Sequence, residues 1–486
     1  MDAFLAGIIA ACTPMNLLLA FGGCLLGTLV GVLPGIGAVS AVAILFPFTV
    51  YLPAEGMIIA LIAVYYGSMY GGSSTAILMK VPGEVSSIVT AIDGYEMTRQ
   101  GRAGPALAIA AISSFIAGII GTFLIALLGP FAARLALGFG PAEYLGLGLF
   151  SLTAIASLAG RSLLRGAIVA VVGLILVSVG YDEAAGLPRL TFGTNGPLLQ
   201  GLDIVPVMIG LFGVSEMMRV FEEENAEFIS TKIGKLMPNR QELFSGTMAT
   251  LRATALSFPL GLLPGMLPSV LSFLAYTVEK HFAKNPETFG KGNINGVAAA
   301  EASNNAAAMG NLLPLMSLGI PTGPTMALIL AALTIYGLTP GPMLFITQPD
   351  FVWTVIGSFF VANIILLILN LPLVGLWVRL ATIPRGILVP IVIVICMVGA
   401  FSVRNSMFDI WVCIAFGLIG YLLQRANWPV APLVLAYVLG PMIERSARQV
   451  YELSPSMVLE RPMFWVFIGL SVVSLWFSHR LRRLIN

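Results

Sequence analysis

Apolar runs long enough to cross a bilayer recur along the whole chain, separated by short polar or glycine- and proline-rich breaks. A helical span needs about 20 mostly apolar residues. By that measure residues 15–33, 36–52, 56–79, 104–129, 143–159, 164–180 and 203–220 read as membrane segments. They are followed by 247–263, 266–281, 296–318, 323–338, 351–378, 386–402, 407–424, 428–443 and 462–478. Several are too short or too glycine-rich to cross fully. The pattern predicts an all-α polytopic membrane protein with roughly ten to twelve transmembrane helices plus re-entrant or broken helical hairpins.

Two stretches are apolar in their flanks and polar in their middles. Backbone that leaves the helix inside a bilayer is tolerated only where protein buries it or a wet cavity meets it. A matched pair of such breaks points to the binding site of a secondary transporter. In the first stretch, Gly71 and Gly72 are expected to weaken the helix, Ser73, Ser74 and Thr75 supply hydroxyls, and Pro82-Gly83 breaks the chain again. Freed amides at a half-helix N-terminus suit a carboxylate. The competing reading is close helix packing through small residues.

The second stretch carries Asn304 and Asn305, whose amides are costly in apolar surroundings unless paired. Ala306, Ala307, Ala308 and Gly310 allow tight packing, and Pro314, Pro321, Thr322 and Gly323 end helices and expose carbonyls suited to Na⁺. Here the competing reading is amide glue between helices. The expected substrate ligands are therefore Gly72, Ser73, Ser74, Thr75, Pro82, Gly83, Asn304, Asn305, Pro321, Thr322 and Gly323. The expected cation ligands are Asn304, Asn305 and Gly310.

The two breaks sit in two halves that repeat. Gly31-Val32-Leu33-Pro34-Gly35 matches Gly261-Leu262-Leu263-Pro264-Gly265. Ser162 and Gly173 match Ser406 and Gly417, and Ser114-Phe115 matches Ser358-Phe359. Pro34, Gly35, Pro264 and Gly265 read as hairpin turns, either plain connections or tips facing a transport path. The densest charge cluster, between Arg219 and Arg252, separates the halves. The expected organisation is a first transmembrane half at 1–220, a hydrophilic connector at 221–246 and a second half at 247–486. Duplication of this kind is a common transporter build, inverted or parallel according to the number of spans per half.

Composition agrees with the bilayer assignment: 58% of the 486 residues are hydrophobic, 10% are charged and the mean hydropathy is +0.95. A soluble domain carries roughly 25% charged residues. The net charge of +2, with scattered basic residues, gives no reason to expect nucleic acid. Cys12, Cys24, Cys396 and Cys413 lie in apolar runs without metal-ligand spacing and read as buried free thiols. His281 and His479 form no ligand pattern. The N-terminus lacks the positive region of a cleavable signal and reads as a retained, short or interfacial segment. The basic C-terminal tail, His479 to Arg483, places that end in the cytoplasm. Residues 91–105 read as a charged loop at the membrane edge. Glu301, just before the second polar stretch, reads equally as a cation or proton ligand or as an edge residue. There is no phosphate-binding loop and no His-Glu-x-x-His motif, so neither ATP hydrolysis nor other enzyme activity is expected.

Several of these motifs together resemble the large membrane subunit of the tripartite tricarboxylate transporters, the TctA family. They are Gly31-Val32-Leu33-Pro34-Gly35-Ile36-Gly37, Tyr70 to Leu78, Val81-Pro82-Gly83-Glu84 followed by Asp93-Gly94-Tyr95, and Ser303 to Ala308 with Gly319-Ile320-Pro321. The resemblance covers nearly the whole chain. It implies a multi-pass carrier of the bacterial inner membrane that works with a small membrane subunit and a periplasmic solute-binding protein. Symport with Na⁺ or H⁺ would drive import of a carboxylate such as citrate, with no cofactor beyond that ion. A homodimer is compatible with it. One departure stands out: the family usually has Gly-Ser after Gly-Ile-Pro, whereas this chain has Thr322-Gly323-Pro324. Two other classes use the same polar breaks differently: a gated pore, as a filter, and a scaffold for partner subunits, as a contact surface.

Overall fold

The computed structural model describes residues 2–33, 35–158, 162–182, 184–193, 196–222, 234–371, 373, 377 and 385–485. Without water to satisfy it, backbone in a bilayer satisfies itself as helix. The first half contains α1 (Asp2–Ala11), α2 (Pro14–Val32), α3 (Ala38–Thr49), α4 (Ala54–Met79), α5 (Ile88–Arg99), α6 (Ala103–Ala136), α7 (Pro141–Leu158) and α8 (Leu163–Val177). An antiparallel hairpin, β1 (Gly180–Asp182) and β2 (Leu187–Arg189), then leads to α9 (Ile204–Glu222), which is π-helical over Ile209–Val214. The second half contains α10 (Arg240–Gly261), α11 (Pro268–Phe282), α12 (Ile294–Leu318), α13 (Pro324–Ile335), α14 (Pro342–Thr347) and α15 (Pro349–Asn370). It continues with α16 (Arg385–Arg404), α17 (Met407–Arg425), α18 (Ala431–Leu453) and α19 (Pro462–Ile485). Among the described residues, seven helices are long and apolar enough to cross a membrane: α2, α4, α6, α9, α15, α16 and α17. Outer helices turn large apolar side chains outward, including Leu127, Phe131, Val394 and Trp411, as lipid contact requires.

Helices α4 and α12 form the centre. From Gly56 to Leu78 every residue of α4 is buried. A face of small residues brings α2 against it. A Cβ at Gly27 would fall 2.3 Å from the Val64 carbonyl oxygen, and one at Gly31 would fall 2.1 Å from that of Ser68. From the other side, a Cβ at Gly71 would fall 2.4 Å from the Thr28 carbonyl oxygen. Such close approach is how helices associate where lipid removes the hydrophobic drive. In the second half α10 meets α12 the same way, with a Cβ at Gly310 placed 2.5 Å from the Phe258 carbonyl oxygen.

This packing corrects the expected unwinding. The chain is helical through Met79, and within the helix the Ser73, Ser74 and Thr75 hydroxyls donate back to the Met69, Tyr70 and Gly72 carbonyls at 3.1, 3.4 and 3.1 Å. Ser303 to Leu318 is helical too, with Pro314 accommodated inside α12. The breaks come one turn later than the polar runs. They begin at Lys80 (φ 58°) and Gly319 (φ 74°), both left-handed, and run through Pro82-Gly83 and Pro321-Thr322-Gly323.

Two further expectations are corrected. Residues 91–99 belong to α5 rather than a solvated loop. The fully buried Asp93 accepts the Gly290, Gly292 and Asn293 amides at 2.8–2.9 Å and the Tyr276 hydroxyl at 2.8 Å, fixing the entry to α12. Cys24, Cys396 and Cys413 are buried free thiols as expected, but Cys12 is exposed, at the short turn joining α1 to α2.

Contacts cross the sequence division. A Cβ at Gly173 of α8 would sit 2.2 Å from the Leu433 carbonyl oxygen of α18. One at Gly210 of α9 would sit 2.4 Å from that of Cys413 in α17. Each half thus packs late helices against the other. Ser162 and Ser406, paired in the sequence, cap α8 and α17 by accepting the Arg165 and Phe408 amides at 3.4 and 3.2 Å. Of the central charge cluster, residues 223–233 lie outside the described residues, as does Pro34.

Candidate functional site

Two turns and two breaks converge on one cavity of about 220 Å³. The first turn follows α2, where Gly35 (φ +85°) redirects the chain into α3 and brings Gly37 and Ala38 to the wall. The second follows α10, where Gly265 (φ +84°) does the same for Leu267, Pro268 and Ser269 at the start of α11. Glycine takes this left-handed backbone without strain. The first break contributes Glu84, Val85 and Ser86, and the second Gly323, Pro324 and Thr325. Tyr65 and Met69 of α4 and Asn311 of α12 complete the polar and apolar lining.

Local bonds hold these segments in place. The Gly265 amide donates to the Thr322 carbonyl at 3.0 Å, tying the second turn to the second break. The Thr322 hydroxyl donates to the Asn311 carbonyl at 3.2 Å. In the first half the Gly83 amide donates to the Gly72 carbonyl at 3.3 Å. Gly83 tolerates no side chain there: a Cβ would fall 2.1 Å from the Gly31 carbonyl oxygen.

The first turns of α3, α11 and α13 border the cavity, joined by the 3₁₀ turn Val85–Ser87. Helix N-termini carry unsatisfied amides and the positive end of the dipole. Pro268 and Pro324 stand at first helical positions, where their missing N–H costs nothing. Hydroxyls of Ser86, Ser269 and Thr325 and the amide of Asn311 add neutral polar groups. Among the described residues no Lys, Arg or His lines the cavity, and Glu84 is its one charged residue. The Glu84 carboxylate accepts from Ser86 Oγ, from Asn304 Nδ2 at 3.1 Å and from the Ala38 backbone amide. Asn311 is 3% exposed and its Oδ1 has no partner. The arrangement is chemically suited to a small organic anion, held by amides and hydroxyls rather than by a fixed cation.

The expected site residues divide among several places. Gly323 lines the cavity. Asn304 reaches Glu84, and Pro82, Gly83, Pro321 and Thr322 shape the breaks behind the wall. A Cβ at Gly72 would meet the Glu84 amide nitrogen at 3.1 Å, so this glycine makes room for the break. Ser73 and Ser74 face a second, smaller cavity beside Glu301, while Thr75 is buried along α4. Asn305 donates to the Glu301 carbonyl at 3.2 Å, and Gly310 sits in the α10–α12 contact. Pro264 is buried at the second turn.

Sequence reasoning missed Glu84, Asn311, Ser86, Ser269, Thr325 and Tyr65 as lining residues. Two carried a signal. Glu84 is a carboxylate directly after a Pro-Gly break, and Asn311 lies seven residues after Asn304, on the same face of a helix.

Fold and cavity together define a polytopic, helical membrane protein with a chamber of mixed apolar and polar lining among its helices. Residues 17–435 match the model of the Tripartite tricarboxylate transporter TctA family, and the chain belongs to that family. It is 43% identical over 463 residues to a protein of Agrobacterium vitis described as the uncharacterized 52.8 kDa protein in the TAR-I ttuC' 3' region. That alignment covers 95% of this chain and 91% of the relative. A second Agrobacterium vitis protein, described as the uncharacterized protein in the TAR-II ttuC' 3' region, is 42% identical over 217 residues, 44% of this chain and 90% of the relative. No solved structure matches the chain.

Proposed function

We propose that the protein is the large permease subunit of a tripartite secondary transporter that imports a di- or tricarboxylate across the bacterial inner membrane. A periplasmic solute-binding protein would deliver the substrate, and a small membrane subunit would complete the carrier. The observation that carries this reading is the cavity bordered by helix N-termini, hydroxyls and an amide, with no basic side chain among the described residues. Amides and hydroxyls bind a carboxylate without a permanent charge.

The matched Gly35 and Gly265 turns, and breaks that open at Lys80 and Gly319, support a build from two repeated halves, which we propose are inverted. With Glu84 already in the chamber, a bound polyanion adds negative charge that a Na⁺ or H⁺ would offset. Binding of one would then favour binding of the other, which is the thermodynamic content of symport.

Uptake of labelled citrate and of shorter dicarboxylates into proteoliposomes holding the assembled carrier tests this. The expected result is uphill uptake that an ionophore collapses and that Asn311→Ala and Thr325→Val each reduce at least tenfold. Currents too large for a carrier cycle would replace this reading with a pore.

A further inference from the structure

A second polar cavity lies deeper, between α4, α6, α12 and the end of α15. Its volume is about 10 Å³, and Glu301, Tyr70, Ser73, Ser74 and Asn370 supply its polar lining. The remaining wall is apolar: Ile77, Leu107, Ala110 and Ala111. That space suits a single water-sized occupant.

We propose that this cavity is a binding site for one dehydrated monovalent cation, Na⁺ in the first instance, with Glu301 as its charged ligand. Glu301 is 2% exposed. Thr90 and Ser114 donate hydroxyls to its carboxylate, Ser114 at 3.3 Å, and among the described residues no cationic side chain lines the cavity. A buried carboxylate with neutral partners alone is left electrically uncompensated.

Most of the other polar groups can present oxygen to an ion, and the Tyr70 hydroxyl, which has no partner, can serve as donor or acceptor. Asn370 is 5% exposed, and its Nδ2 donates to the Leu366 carbonyl at 3.0 Å. That bond fixes the amide orientation and leaves Oδ1 without a partner. Ser74 donates to the Tyr70 carbonyl at 3.4 Å, which leaves its oxygen lone pairs free, while Ser73 shares its hydroxyl among the Met69 carbonyl at 3.1 Å, Ser87 Oγ at 3.3 Å and the Glu301 carboxylate. A buried carboxylate beside an unpartnered amide oxygen calls for a cation, and hard monovalent ions take oxygen ligands. Ca²⁺ and Mg²⁺ demand more: six to eight oxygens for Ca²⁺, or an octahedral shell with several waters for Mg²⁺. One carboxylate in a space of this size meets neither demand.

The site also has a route to the larger chamber. Ser73 Oγ lies 3.3 Å from Ser87 Oγ, and Ser87 closes the 3₁₀ turn whose Ser86 hydrogen-bonds Glu84. An ion drawing on Ser73 would steady the wall of the carboxylate chamber. The inference deepens the cation-coupled reading above by giving the ion a place, and it is testable without any carboxylate.

The experiment is ²²Na⁺ binding to the purified full-length protein in choline buffer, read by scintillation proximity. Saturable binding is expected in the wild type, displaced by excess Na⁺ and far less by K⁺. Glu301→Gln and Asn370→Ala should each weaken it at least tenfold while gel-filtration profile and helical content stay unchanged. Should Glu301→Gln fail to fold, Asn370→Ala and Ser73→Ala carry the test, with a smaller loss expected for Ser73→Ala. Absence of saturable ²²Na⁺ binding in the wild type overturns the proposal, as does wild-type affinity in the folded variants. Because no carboxylate is present, either result leaves the substrate chamber to be judged by its own assay.

Discussion

Asn304 Nδ2 donates to Glu84 Oε1 at 3.1 Å, joining the polar face of α12 to the break that follows α4. This bond links the two halves at the wall of the chamber. The Asn304 side chain is almost fully buried, and its Oδ1 is left without a partner. Hydrogen bonds to charged groups contribute about 1.5–3 kcal/mol. Asn304→Ala is therefore expected to lower carboxylate uptake by roughly tenfold or more while the protein still assembles. Uptake by proteoliposomes, normalised to folded protein, checks it.

Thr75 makes the opposite prediction. Its hydroxyl bonds the Gly72 carbonyl within α4 and does not line either cavity. Thr75→Ala should leave uptake within about twofold of wild type, the change expected from a local bond of about 0.5 kcal/mol. Transport measured side by side with Asn311→Ala separates the chamber wall from the helix interior.

The α2–α4 contact predicts a stability defect. A Cβ at Gly31 would lie 2.1 Å from the Ser68 carbonyl oxygen, against backbone that has nowhere to go. Gly31→Val should destabilise by at least about 1–3 kcal/mol. The readout is a lower Tm and loss of the monodisperse gel-filtration peak. Gly22→Val, on the same helix but with open space around its Cβ, should be nearly silent.

An ion cluster outside the bilayer-crossing helices predicts acid sensitivity. Arg448 lies 2.5 Å from Asp182, and Arg189 pairs with Glu444 at 2.7 Å. The Arg448 guanidinium, aided by the Ala184 and Ala185 amides, holds the Asp182 carboxyl below the usual carboxylate range. A depressed folded-state pKa stabilises fully above the unfolded value of about 3.9 and is lost as pH falls through the folded value. The Tm difference between wild type and Asp182→Asn should therefore be largest near neutral pH and shrink below about pH 4.

The class of fold was legible because a bilayer leaves few choices for an apolar chain of this length. The breaks were legible to within one turn: Pro82-Gly83 and Pro321 mark them correctly. What misled was the polar composition just before them. Ser73, Ser74 and Thr75 read as unwound backbone, yet each hydroxyl has a carbonyl within reach on its own helix. Gly71 read as a weak point, yet it serves the contact with α2. Asp93 read as a surface charge because its partners, the amides of residues 290–293, lie about 200 positions away. The chamber escaped for the same reason. Its wall is drawn from six separated segments, and nothing local tells Ser269 or Thr325 that they will face Glu84.

The central claim is that the chamber between the two turns and the two breaks holds the substrate carboxylate. Its most direct test is thiol protection. In a Cys12→Ser background, the remaining native cysteines are buried. Single Thr325→Cys and Ser269→Cys variants of the assembled carrier are labelled with a small membrane-permeant thiol reagent, with and without citrate or a transported dicarboxylate. The account predicts that the transported anion slows labelling at both positions several-fold, while labelling of Cys12 in the otherwise native chain is unaffected. Equal labelling rates with and without a transported substrate, at both positions, would contradict it.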